Sequence, residues 1–104
     1  MGEQKPRITK QTLNVLGALI STKDEISGAD IARLTKLSSG TLYPILMRLE
    51  HYKWIESEWE EGDPRKLGRP RRRLYRMTVV GGRNARREFT EIKAAIGRPA
   101  WGIS

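Results

Sequence analysis

The sequence predicts a mainly helical α+β domain: three helices, a two-stranded β-hairpin and a final helix. Two observations carry most of this. Apolar residues recur at helical spacing before residue 50, whereas residues 55–59 alternate strictly and residues 72–77 return as a second strand. Between and into these strands, residues 65–76 hold seven basic residues and no acid, so the hairpin tip is cationic. A cationic hairpin directly after a helical hairpin is the layout of a winged helix-turn-helix, with the last helix available for dimerisation.

Each element has its own signal. Residues 1–8 are polar, contain Pro6 and read as a flexible N-terminal arm. Thr9 or Thr12 can cap a first helix that runs to about Thr22, with Leu13, Leu16, Leu19 and Ile20 on one face. Ser27 and Asp30 have capping-box spacing, which predicts a short helix over residues 28–36 that buries Ile31 and Leu34. A third helix follows, with an apolar stripe of Leu42, Ile45, Leu46 and Leu49. Its start is open between two caps. With Ser38 as cap, Pro44 lies beyond the first turn, removes a backbone bond to Gly40 and predicts a bend. With Thr41 as cap, Pro44 falls harmlessly in the first turn.

Ile55, Ser57 and Trp59 share one face of the first strand and three glutamates the other; Tyr75 and Met77 point inward from the second. Thr78 caps the last helix, predicted over residues 79–96, and residues 97–104 form an irregular tail. Residues 9–78 are expected to form a winged-helix unit suited to DNA binding, and residues 79–96 a dimerisation helix. Ala85, Phe89, Ile92 and Ile96 make a narrow stripe suited to a dimer seam; the alternative is packing on Leu13, Leu16 and Ile20 of the first helix.

Composition narrows the function. Residues 1–64 hold eight Lys/Arg against ten Asp/Glu, while residues 65–104 hold twelve against two, so the formal charge of +8 is concentrated in the second part. Such a surface fits a polyanionic partner. There is no cysteine and one histidine, His51, so no metal site or cofactor is expected and general-base chemistry has little to work with. The sequence therefore argues against an enzyme. No apolar run approaches the ~18 residues of a membrane span. A cytoplasmic protein without membrane contact is expected.

In a winged helix-turn-helix the third helix lies in the DNA major groove. Ser38, Ser39, Thr41 and Tyr43, with Arg48 a turn later, are its candidate contacts. These residues suit phosphates better than base edges, so backbone contacts and DNA shape contribute much of the recognition. Arg65, Lys66, Arg69 and Arg71 are the candidate contacts of the wing tip, shaped by Gly68 and Pro70. Arg72 and Arg76 are better placed to pair across the hairpin with Glu56, Glu58 or Glu60. Trp54 and Trp59 read as core.

Three runs carry a resemblance: SGTLYPILMRLE over residues 39–50, WIESEW over 54–59 and GRPRRRLYRMT over 68–78. Together they resemble the PadR family of bacterial transcriptional regulators across roughly residues 10–96. The resemblance implies a homodimer bound to a palindromic operator in double-stranded DNA, nucleoid-associated and usually repressing. The single C-terminal helix is similar to the short subfamily. It also implies a small aromatic or cationic effector near the dimer interface, where Trp101 could cover it. The chain departs from the family pattern at Lys53, where a helix-ending glycine is common, at Gly81 and Gly82, and in the lengthened acidic loop of residues 60–64. Two rival readings use the same surfaces: a non-specific architectural nucleic-acid binder, and a winged helix that meets an acidic protein.

Overall fold

A computed structural model describes residues 5–96. The elements are α1 (Lys10–Ile20), β1 (Ile26–Ser27), α2 (Gly28–Thr35), α3 (Ser39–His51), β2 (Ile55–Trp59), a single helical turn α4 (Pro64–Leu67), β3 (Arg73–Met77) and α5 (Val79–Ile96). The winged helix-turn-helix is present, and its sheet has three antiparallel strands in the order β1-β3-β2 where two were expected. Ile26 and Ser27 pair with Tyr75 and Leu74 on the second edge of β3. Two residues are too few to show alternation, so this strand leaves no periodic trace in the sequence.

Caps place the helices. Thr9 Oγ1 accepts from Thr12 N at 3.1 Å, and Ser27 Oγ accepts from Asp30 N at 3.0 Å. The Asp30 carboxylate turns to Arg33 on its own helix, which holds it below the usual carboxylate range. Ser38 is the cap residue of α3, although its hydroxyl approaches Thr41 Oγ1 at 3.3 Å and caps no backbone N–H. Pro44 therefore sits inside α3, which continues for seven residues beyond it to His51.

The core gathers Val15, Leu16 and Leu19 from α1, Ile31 from α2, the Leu42, Ile45, Leu46 and Leu49 stripe of α3, then Trp54, Ile55 and Tyr75. Three sequence expectations are corrected. Leu34, in the last turn of α2, is 58% exposed, and so is Trp59, at the outer end of a ribbon that runs past the core. Residues 5–8 are anchored rather than loose: Pro6 is fully buried, Ile8 packs on the core, and Lys5 pairs with Glu88 of α5 at 2.7 Å.

Lys53 ends the α3 connection with φ of 65°, the left-handed conformation that glycine adopts without penalty. Directly after it, α5 crosses the chain. Thr78 Oγ1 donates to Lys53 O at 2.7 Å and accepts from Gly81 N at 2.9 Å, fixing the start of the helix. Gly81 lies so close to the Trp54 carbonyl that a Cβ there would overlap it.

The α5 stripe splits in two. Ala85 is fully buried in its own core, and Phe89 packs against the core beside Gly17 of α1. These two residues thus serve the chain's own interior, because α5 leans on α1 over its first half. Ile92 is half-buried and Ile96 is 73% exposed, leaving the outer half of the stripe facing outward.

Candidate nucleic-acid interface

Helical geometry divides α3 into a buried face and an open one. Ser38, Ser39, Thr41, Tyr43 and Arg48 are all exposed, as are Gly40, Pro44 and Met47, which polarity alone did not mark. The Tyr43 ring lies over the N-terminus of α2, with its hydroxyl so near Gly28 that a Cβ there would meet it at 2.5 Å. Glycine at 28 therefore makes room for a tyrosine that would otherwise swing into solvent.

Beyond Tyr43 the surface opens into a groove of about 450 Å³, lined by Gly28, Ala29, Tyr43, Trp59, Arg71, Arg72, Arg73 and Tyr75. The N-terminus of α2, three guanidiniums and two phenols favour an anion there. Burial pushes the Tyr75 phenol above its ordinary pKa, so it stays a neutral donor. Among the described residues, Arg71 and Arg72 make no ion pair and their guanidiniums make no hydrogen bond; both side chains are exposed.

The wing arginines are not equivalent. Arg69 forms a two-armed ion pair with Glu60, at 2.7 and 3.0 Å, and Glu60 Oε1 also accepts from Arg72 N at 3.1 Å. The sequence points Arg69 at DNA, whereas in the structure its guanidinium closes the hairpin loop on Glu60. The α4 turn forms the tip: Asp63 caps Arg65 N at 3.0 Å and Gly68 ends the turn in the left-handed conformation. Arg65 and Lys66 project from it into solvent, with Asp63 only 3.8 Å from Arg65.

The Arg69 hydrogen bonds hold the Glu60 carboxyl down at about 2, against an ordinary 4.5. A depressed pKa means the loop closure is fully present above 4.5 and fades as pH falls towards 2. The Arg72 amide reports it directly. Its NMR shift is expected to titrate with a midpoint near 2, and Glu60→Gln should abolish the titration. A midpoint at the ordinary value of 4.5 means that the pair does not form in solution.

A second polar chain ties the wing to α3. Arg73 Nε donates to Ser57 Oγ at 3.1 Å, and Ser57 Oγ donates to Glu50 Oε2 at 2.7 Å. The Arg73 guanidinium also lies 5.0 Å from the Trp59 ring centre, a cation–π contact. Side-chain hydrogen bonds thus join α3 to the wing. On the other face of the ribbon, Arg76 pairs with Glu56 at 2.9 Å, Glu25 at 3.2 Å and Glu58 at 3.4 Å. Arg76 fulfils the cross-hairpin pairing expected of it, while Arg72 reaches Glu60 by a backbone hydrogen bond and its guanidinium acts on Glu60 and Asp30 only at longer range.

The sequence pattern of the Transcriptional regulator PadR-like family matches residues 24–87, from the turn before β1 into α5. The chain belongs to this family. Among solved structures, overoxidized AbfR bound to DNA is 28% identical over 85% of this chain and 60% of that one, with a TM-score of 0.69. The S. aureus MepR–DNA complex is 25% identical over 88% of this chain and 68% of that one, at 0.66. A mutant MarR from E. coli, 20% identical over 88% of this chain and 62% of that one, shares the fold at 0.72. The chain spans little more than half the length of the AbfR chains it matches. No curated protein matches it.

Among the described residues no helix is long and apolar enough to cross a membrane, and no cluster of metal-ligating side chains occurs. Trp101, the candidate effector residue, lies outside the described residues.

Proposed function

We propose that this PadR-family chain is a homodimeric, sequence-specific DNA-binding repressor that occludes a promoter. The observation that supports this best is the groove that brings Tyr43 of α3 together with the exposed Arg71 and Arg72 of the wing, whose tip also exposes Arg65 and Lys66. Ser38, Ser39, Thr41, Tyr43 and Arg48 take phosphates and base edges, the groove beside Tyr43 seats a backbone phosphate, and the wing follows the flanking strand. Arg69 reaches DNA only at the expense of Glu60. AbfR and MepR, crystallised on DNA, lend the reading weight through their similarity.

Half-buried Ile92 and exposed Ile96, beyond the part of α5 that packs on its own domain, serve as the dimer seam. A twofold dimer presents its two recognition helices to half-sites about 34 Å apart, hence a palindromic operator in the bacterial nucleoid. The family resemblance adds release by a small aromatic or cationic compound. Such a compound acts only by binding the DNA-competent and incompetent dimers unequally.

DNA fragments recovered with the protein from its own genome supply the test. A regulator should prefer its operator to bulk DNA by ~10³ or more and lose affinity steeply with salt. Equal affinity for all duplexes means an architectural binder, and no binding at moderate salt means a protein-contact module.

A further inference from the structure

The middle of the open face of α3 is apolar, and we infer that Pro44 and Met47 read thymine methyl groups in the major groove. The inference rests on the proposed DNA-binding function and adds to it the means of base discrimination.

The buried face of α3 is Leu42, Ile45, Leu46 and Leu49. Residues diametrically opposite on a helix of 3.6 residues per turn are Gly40, Pro44, Met47 and His51. All four are exposed, Met47 at 70%. The polar residues stand to either side of this line: Tyr43 on the flank towards the wing, and Thr41 and Arg48 on the other. Nothing in the chain outside the helix's own backbone comes within 4 Å of where a Gly40 Cβ would stand, so the line is open.

An exposed methionine alone is ordinary. Here it has Pro44 one turn before it and is bracketed by groups suited to phosphates, with the cationic wing continuing the same surface. That charge fits duplex DNA as the occupant rather than an apolar protein. In the major groove most base-edge features are hydrogen-bond donors or acceptors, and the thymine C5 methyl is the apolar one. Pro44 has no N–H, and the Met47 thioether is at most a weak acceptor. These two side chains, in the middle of the line between Gly40 and His51, cannot use the polar code, but they gain by covering a methyl. The specificity residues are thus the two that carry no hydrogen-bonding fork.

Deoxyuridine tests this cleanly, because it removes only the methyl and leaves pairing intact. In an operator half-site selected by the protein, each thymine is replaced in turn. At one or two positions affinity should fall about fourfold, as expected for one buried carbon. The penalty should shrink towards unity in Met47→Gln or Pro44→Ala at the position each covers, and persist in Met47→Leu. Met47 is exposed, so its variants leave the fold intact. Indifference to deoxyuridine at every position, or an equal penalty in all variants, overturns the inference while leaving operator binding standing. Failure to bind any operator removes the proposed function and this inference together.

Discussion

Replacing Arg71 and Arg72 together with alanine is expected to weaken operator binding on the order of a hundredfold at low salt. A dimer loses four guanidiniums, and each phosphate contact removed lowers the salt slope by about 0.9. The slope should therefore flatten by between three and four, roughly uniformly across operator variants. Both side chains are exposed and without ion pairs among the described residues, so stability should change by no more than about 0.5 kcal/mol. Arg69→Ala gives the contrast. It removes the Glu60 pair and loosens the hairpin, and should flatten the slope much less. Fluorescence anisotropy between 50 and 200 mM salt, roughly the range over which such contacts show most, separates the two. Unchanged affinity and slope in the double variant remove the wing from the mechanism.

The contrast between Arg69 and Arg71 shows where sequence reading loses resolution. Seven cations in twelve residues announce a polyanion-binding surface. They do not say which cation meets a carboxylate nine residues back, because that depends on the path of the loop. The path had a readable signal. Asp63 followed by Pro64, with Gly68 after Leu67, is a helix start and stop compressed into one turn, and reading it only as a breaker hides α4. Trp59 shares a strand face with Ile55, yet two further pairs along the ribbon the core has ended, so alternation reports a face without reporting what lies beneath it.

The helices were more legible. Thr9, Ser27 and Thr78 cap where hydroxyl-bearing residues precede apolar periodicity, and the α5 bounds follow from Thr78 and the spacing of its apolar residues. What periodicity could not assign was the partner. Ala85, Phe89, Ile92 and Ile96 form one stripe, but α1 covers its first half and leaves the second. On α3 the polar residue types drew attention to the flanks of the open face. Orientation about the axis, fixed by the buried leucines and isoleucine, brings forward Pro44 and Met47 instead.

Gly81→Ala should be among the most destabilising single substitutions in the fold, although it replaces glycine by the best helix former. Propensity favours alanine in a helix by about 1 kcal/mol. Against this, the new Cβ would overlap the Trp54 carbonyl, a backbone group with no rotamer to change. Trp54 O is already engaged by Thr78, whose N–H donates to it at 3.0 Å and whose hydroxyl lies 3.1 Å away. Relief requires α5 to move off the sheet, carrying Ala85 and Phe89 out of the core. Overpacking of this kind costs about 2–3 kcal/mol, a large part of a small domain's stability. Gly82→Ala is the control, because its Cβ meets only the mobile end of Arg86 at 3.3 Å. There propensity should win, with stabilisation of up to about 1 kcal/mol. Urea melts of the two variants should therefore shift in opposite directions. A Gly81→Ala variant as stable as the parent, or more so, means that glycine at 81 is not required by the Trp54 crossing. The split accounts for Gly81, which the Trp54 contact imposes; nothing in the structure explains Gly82.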